Sequence, residues 1–183
     1  MRKYIVVLFV LLLAGCTECR LNAPAKCMKL LSRHISVEDG ITTIATGYGT
    51  AFVVSLDDKP YLVTAAHVTQ TGHQIDIPFD IVGPCITYED AIFIPIDRGK
   101  GLPIGYALKG DAVVAVGYPG LSQHQRRLRG RVTQQGYMTG LVEEGMSGGP
   151  VFNTNGEVIG VISAYLPNVG VSKYTLIPSS LEQ

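Results

Sequence analysis

Three side chains, taken in chain order, have the types needed to hydrolyse an acyl bond: His67 in YLVTAAHV, Asp90 in YEDAIFIPI and Ser147 in EEGMSGGPVF. A serine hydroxyl is a poor nucleophile at neutral pH. It needs a base to take its proton, a group that orients the base, and donors for the oxyanion that forms. Ser147 is set among Gly145, Gly148 and Gly149. Glycine is costly to order and is used where the backbone takes unusual dihedrals or approaches another group closely. Three of them around one hydroxyl point to a backbone wrapped about a reacting atom.

GMSGG also fits the Gly-x-Ser-x-Gly elbow of α/β-hydrolases, in which the acid and then the histidine follow the serine. Only 36 residues follow Ser147 and none is histidine; His34, His67, His73 and His124 all precede it. The elbow is therefore excluded, and the order His, Asp, Ser is favoured. His67 ends an apolar run behind two alanines, where a strand delivers a side chain to the rim of a barrel. His73 and His124 sit in polar loop sequence, and His34 in the tether. Among the acids, Asp90 opens an apolar run, as suits a carboxylate at the edge of a core strand. Glu89, Asp97, Asp76 and Asp80 are alternatives, although Glu89 faces the other way if the segment is extended there and Asp97 follows the run.

These side chains need elements to carry them. From Ile41 onward, apolar runs of four to eight residues alternate with Gly, Pro, Asp and Asn: GTAFVVS, YLVTAAHV, AIFIPI, AVVAVGY, EVIGVISAYL and SKYTLIP. Rich in valine and isoleucine, and without a helical period, they predict an all-β barrel or sandwich. SLDDKPY and NTNGEV read as hairpin connections. DRGKGLPIG (Asp97 to Gly105) reads as the boundary between two halves. Residues 16–40 read as a tether, with KCMKLLSRHI as a helical turn or two.

The N-terminus has another design. Arg2 and Lys3 precede the apolar run Tyr4–Leu13, and Ala14-Gly15-Cys16 follow. That is the layout of a secretory signal over residues 1–15, too short to span a bilayer. The remaining 168 residues suffice for one ordinary domain or two small barrels. Lys+Arg and Asp+Glu both number 15, so net charge gives no support for a nucleic-acid partner. The exception is QRRLRGR, Gln125 to Arg131, read either as a solvated loop entering a strand or as a contact for an anion or membrane surface. No cysteine–histidine spacing suggests zinc, and no metal or cofactor is expected. In an oxidising compartment Cys27 has two candidate disulfide partners, Cys19 and Cys85.

TAAHV, EDAIF and GMSGGP, in this order, resemble the trypsin-like (chymotrypsin-fold) serine proteases, with most likeness to the bacterial periplasmic heat-shock type but without a PDZ domain. YGTAFVV is similar to the family's glycine-led first strand, GRVTQQG to the strand opening its second barrel, GGPVFNTNGEVIGVISAY to the hairpin after the serine, and SKYTLIPSS to the closing strand and the start of a final helix. The resemblance covers Ile41 to the C-terminus. It implies two small antiparallel β-barrels, about 41–100 and 106–183, with the active site in the cleft between them. In that fold Ser147 attacks a peptide carbonyl, His67 is the base, Asp90 orients it, and the N–H groups of Gly145 and Ser147 form the oxyanion hole. Leu141 lies near the base of the specificity pocket, and Ser163, Ala164 and Tyr165 form the wall that pairs with a peptide or protein substrate. No acid stands at the pocket base, which implies a small or medium apolar residue at the cleavage site. Glu143 and Glu144 read as a solvated turn or as pocket groups. Met146 replaces the aspartate that pairs with a freed N-terminus in zymogens, so activity without N-terminal processing is implied.

LLAGC resembles the lipobox of bacterial lipoproteins. That implies cleavage before Cys16, acylation of its thiol, and anchoring in the cell envelope. Thr17, standing where an aspartate would favour inner-membrane retention, implies the outer membrane, facing the periplasm. The competing reading is an idle protease-fold binding module or another surface lipoprotein.

Overall fold

The valine- and isoleucine-rich runs form strands throughout the computed structural model, which describes residues 27–38, 41–69, 73–75, 77–120 and 122–181. The apolar leader, Cys16 and Cys19 lie outside the described residues. Twelve strands follow in order: β1 (Cys27–Glu38), β2 (Ile41–Leu56), β3 (Lys59–Ala65), β4 (His73–Ile75), β5 (Ile86–Tyr88), β6 (Ala91–Pro95), β7 (Ala112–Gly117), β8 (Arg126–Gln134), β9 (Tyr137–Thr139), β10 (Pro150–Phe152), β11 (Val158–Leu166) and β12 (Val171–Leu176). Single 3-10 turns at Ala66–Thr69 and Pro167–Val169 complete the regular structure among the described residues.

The fold is all-β, with β1–β6 in one sheet and β7–β12 in another. The second half is a closed barrel in the order β10-β11-β12-β9-β8-β7. The first half is a six-stranded antiparallel sheet in the order β4-β1-β2-β3-β6-β5, whose outer strands β4 and β5 are not paired with each other. Together they are consistent with a chymotrypsin-like double barrel. The connecting segment packs along both halves: Leu102 N–H donates to Val53 O at 2.8 Å, and Gly105 N–H to Val158 O at 2.9 Å.

Both expected hairpins are present. The β2–β3 turn holds Asp57 and Asp58 at φ of 49° and 61°, the pair of positive angles that matches a two-residue turn to strand twist. In the β10–β11 connection Asn153 Oδ1 accepts from the N–H groups of Asn155 and Glu157 at 3.0 Å each, and Gly156 takes φ 79°.

Strand alternation sends successive residues of β2 into different clusters. Ala51 and Val53 pack with Leu30, Leu62 and Ile94 inside the first half. Phe52 and Val54 pack with Phe93 and with Val114, Val116, Phe152 and Val161 of the second half. A third cluster, around Val113, Met138, Ile159 and Tyr174, fills the closed barrel. The shared cluster is the one that fixes the two halves relative to each other, and complete burial of a side chain such as Phe52 or Phe93 contributes about 1.5–3 kcal/mol.

Three expectations are corrected. The tether does not extend to residue 40: Cys27–Glu38 is a strand, paired with β2 from Cys27↔Phe52 to Glu38↔Ile41. Sixteen residues of β2 present a row of backbone groups that need partners, and Leu30 is wholly buried by the pairing, which overrides the weak helical pattern of this segment. The GRVTQQG run is the second strand of the closed barrel, AVVAVG being the first. No helix follows β12 among the described residues.

The Cys27–Cys85 bridge does not form. Cys27 is half-buried and accepts a hydrogen bond from Gln125 Nε2 at 2.7 Å, whereas Cys85 is exposed. Burial pushes the Cys27 thiol up to about 11, against the opposing pull of Gln125 and Arg127. Burial raises the Cys85 thiol as well, but Cys85 is the exposed one; because the thiolate is the reactive form and must be reached, alkylation at pH 8 is expected to modify Cys85 in the folded protein and Cys27 only after denaturation. Peptide mass mapping of labelled protein, with and without urea, checks this.

Candidate active site

His67 lies in the 3-10 turn that ends β3, and Asp90 in the turn that opens β6, next to β3 in the sheet. The two turns are bonded to each other. Ala66 N–H donates to Asp90 O at 2.8 Å, and His67 N–H to Asp90 Oδ1 at 3.2 Å. The ring completes the set, with Nδ1 2.9 Å from Oδ2 and 3.1 Å from Oδ1. A carboxylate accepts only, so it selects the tautomer with the proton on Nδ1 and leaves Nε2 as the basic nitrogen.

The other candidate acids stand elsewhere. Asp97 holds Arg98 at 2.8 Å and the Asp80 N–H at 3.0 Å. Glu89 lines a separate cavity of about 400 Å³ with Gln135, Tyr137 and Lys173, and no serine or histidine lines it. Asp76 lies outside the described residues. His124 is exposed, its N–H bonded to Ser122 Oγ.

Ser147 and His67 line one cavity of about 310 Å³, with Val142, Glu143, Glu144, Ser163, Ala164 and Tyr165. No hydrogen bond joins the Ser147 hydroxyl to the ring among the described residues. Catalytic hydrogen bonds are commonly long until substrate binds.

The glycines around Ser147 have separate duties. Gly145 and Gly148 take φ of 86° and 83°, angles costly for any residue with a Cβ. A Cβ at Gly148 would fall on the Thr50 carbonyl and the Thr64 hydroxyl, and one at Gly149 on the Val116 carbonyl. The amides in this segment divide in the same way. Met146 N–H bonds Glu143 O at 3.0 Å, Gly148 N–H bonds Ile162 O at 2.8 Å, and Gly149 N–H bonds Met146 O at 2.9 Å. The N–H groups of Gly145 and Ser147 have no acceptor among the described residues. The Glu144 carbonyl accepts from Gly120 N–H at 2.7 Å. In a trans peptide the next N–H points the opposite way, so that bond turns the Gly145 donor away from the Gly120 loop.

Thr50 braces the same backbone. Its hydroxyl donates to Gly145 O at 3.0 Å and accepts from Tyr118 N–H at 2.9 Å, its N–H donates to Ser147 O at 2.8 Å, and its carbonyl accepts from Thr64 Oγ1 at 2.7 Å. Thr50 and Gly120 went unnoticed in the sequence. A threonine beside the glycine of a strand reads as ordinary β-propensity, and nothing local marks its partner as residue 145.

The pocket walls are placed differently from the expectation at one point. Leu141 is 42 % exposed and outside the residues lining the cavity; the chain turns so that the next residue, Val142, is buried and lines it instead. The alternating pattern that buries Val142 is anchored by its N–H, which bonds Ser172 Oγ at 2.9 Å. Glu143 and Glu144 both line the cavity, and Glu143 pairs with Arg126. Ser163, Ala164 and Tyr165 lie on the cavity as well. Beyond Ile162 the pairing with β10 has ended, while Ala164–Leu166 stay paired with β12, so one edge of this segment is open to an added strand. Ser163 Oγ lies 2.8 Å from Thr175 Oγ1.

Against known families, the model of the trypsin-like peptidase domain matches residues 49–161, a span that contains His67, Asp90 and Ser147. No curated protein matches the chain.

Thr50→Val keeps the shape of the side chain but leaves the Gly145 carbonyl and the Tyr118 amide without their partner. A loss of about 1–3 kcal/mol in urea unfolding is expected for each group stranded. Gly148→Ala adds a clash and an unfavourable φ, and is expected to lower the folded yield more than Gly110→Ala, where a Cβ meets nothing within 4 Å.

Proposed function

The chain belongs to the trypsin-like peptidase domain family, and from that premise we propose that this serine peptidase cleaves peptide bonds through His67, Asp90 and Ser147. The observation that carries the reading is the Asp90 carboxylate on His67 Nδ1, at 2.9 Å, with Ser147 on the same cavity. Ser147 Oγ attacks the carbonyl carbon as His67 Nε2 takes its proton. The tetrahedral oxyanion is received by the N–H groups of Gly145 and Ser147. His67 then returns the proton to the leaving amine, and water repeats the sequence on the acyl-enzyme. Asp90 holds the tautomer and stabilises the imidazolium.

The substrate is a peptide or protein, which lies along the open edge of Ser163–Tyr165 as an added strand. Val142, Ala164 and Tyr165 favour a small or medium apolar residue at the cleavage site. Glu143 is neutralised in place by Arg126, which leaves Glu144 as the carboxylate at the rim. Acylation of Cys16 holds the enzyme in a bacterial envelope, as an outer-membrane lipoprotein facing the periplasm. The N-terminal sequence supports this part of the reading, together with the resemblance of the serine and histidine motifs to periplasmic heat-shock proteases. The unmade bond between Ser147 and His67 favours a second reading, an idle protease fold that binds without cleaving.

A fluorophosphonate probe decides between them. Covalent labelling of Ser147 is expected, with none in Ser147→Ala. Asp90→Asn, which leaves the ring in the wrong tautomer, is expected to lower the rate about 10⁴-fold. An unlabelled, folded protein across a range of pH would establish the idle reading. Mass spectrometry of envelope peptides from cells with active protein or Ser147→Ala reports the residue preferred at the cleavage site.

A further inference from the structure

Four arginines crowd one strand, and they do not share a face. Leu128 and Val132 of β8 pack into the interior of the closed barrel, so the alternate positions Arg127, Arg129 and Arg131 point outward. All three are exposed. Arg126, of the other parity, is the one that pairs with Glu143. Arg131 donates to the Gly110 carbonyl at 2.9 Å, and Asp111, next to the Ala112 that pairs with Arg131, accepts from the Leu108 N–H at 2.8 Å. Among the described residues no carboxylate forms an ion pair with Arg127, Arg129 or Arg131. A stripe of exposed like charge without counter-charges repels itself, and its natural partner is an extended anionic surface.

The start of the described chain lies at the head of this stripe. Cys27 accepts from Gln125 Nε2 at 2.7 Å, and its carbonyl accepts from Tyr118 Oη at 3.3 Å. Lys29 reaches the Ser122 carbonyl at 3.4 Å, adding a fourth cation at the same end. Cys16 is eleven residues earlier in the sequence. At most about 3.6 Å per residue, that segment spans no more than roughly 40 Å. An acyl chain on Cys16 therefore keeps the stripe close to the bilayer, where even weak headgroup contacts are raised by a high effective concentration.

We propose that the outward face of β8, through Arg127, Arg129 and Arg131, docks on anionic lipid headgroups of the membrane that anchors the chain. The inference rests on the lipid-anchor reading above. Arg126, of the other parity, is paired with Glu143 at the rim of the active-site cavity, so docking uses side chains that the cavity does not.

The test uses the full-length chain with Cys16→Ser, which cannot be acylated, and vesicles of phosphatidylcholine with or without phosphatidylglycerol. The leader, with its own Arg2 and Lys3, is common to the parent and every variant, so the readout is the change in the ratio of partition coefficients against the parent. Near an anionic surface each basic residue contributes about a five-fold change in partition, so Arg127→Gln with Arg129→Gln is expected to lower that ratio roughly 10- to 30-fold. Arg127→Lys with Arg129→Lys is expected to keep it, and Lys59→Gln with Lys100→Gln, two exposed lysines elsewhere, to leave it unchanged. If the double glutamine variant does not fold, Arg129→Gln alone is expected to lose about five-fold. An equal partition into both vesicles by the parent, or an equal loss in the lysine-to-glutamine control, overturns the proposal. So does preferential binding of duplex DNA by the same arginines that phosphatidylglycerol vesicles cannot displace. Acylation of Cys16 is read separately from the mass of the mature chain, so a failed anchor is distinguished from a failed docking face.

Discussion

A carboxylate on one turn grips a histidine on another at two points, the ring and the main chain, and the chemistry proposed for this protein depends on that grip. Asp90 and His67 flank the same end of an antiparallel strand pair, one just before β6 and the other just after β3, where Ala65 pairs with Ala91. The Ala66–Asp90 backbone bond sets the approach before the side chains act. Both side chains are partly exposed, at 42 % and 30 %, so screening by water leaves the pair little weight in stability. Its value is orientation. It fixes which ring nitrogen carries the proton and keeps the other facing the cavity that Ser147 lines.

The serine segment shows the complementary constraint. Around Ser147 the backbone is held by Thr50, Gly120, Ile162 and Glu143 through hydrogen bonds that use the amides of Met146 and Gly148 but not those of Gly145 and Ser147. Leaving two amides without protein acceptors costs free energy on folding. The positive φ values of Gly145 and Gly148 cost no steric strain only because both are glycine. Such a segment makes sense where the missing acceptor is supplied by a reacting substrate. Phe52 and its neighbours tie the second half to the sheet that carries His67, which holds the serine and the histidine in one frame.

Much of this was legible in the sequence, and for identifiable reasons. Alternating apolar runs with short turns gave the strands, and Asp57-Asp58 and Asn155-Gly156 gave the hairpins, because these signals are local. The chain order of histidine, aspartate and serine excluded the elbow architecture, because only 36 residues follow Ser147. What stayed hidden was set by distant contacts. Cys27–Glu38 looks like a polar lead-in and becomes a strand because the long edge of β2 requires a partner. Leu141 and Val142 are both apolar, and the one that lines the cavity is Val142, whose N–H bonds the distant Ser172 Oγ. Thr50 braces residue 145 across 95 positions of sequence, a separation at which no spacing rule operates.

The most direct measurement is a crystal structure of the protein after reaction with a peptidyl phosphonate. The account predicts phosphorus bonded to Ser147 Oγ, a phosphonyl oxygen within hydrogen-bond reach of the Gly145 and Ser147 amides, and the His67 ring lying between Asp90 and the adduct. A free Ser147 hydroxyl beside an intact inhibitor, or an adduct whose oxygen turns away from both amides, would contradict it.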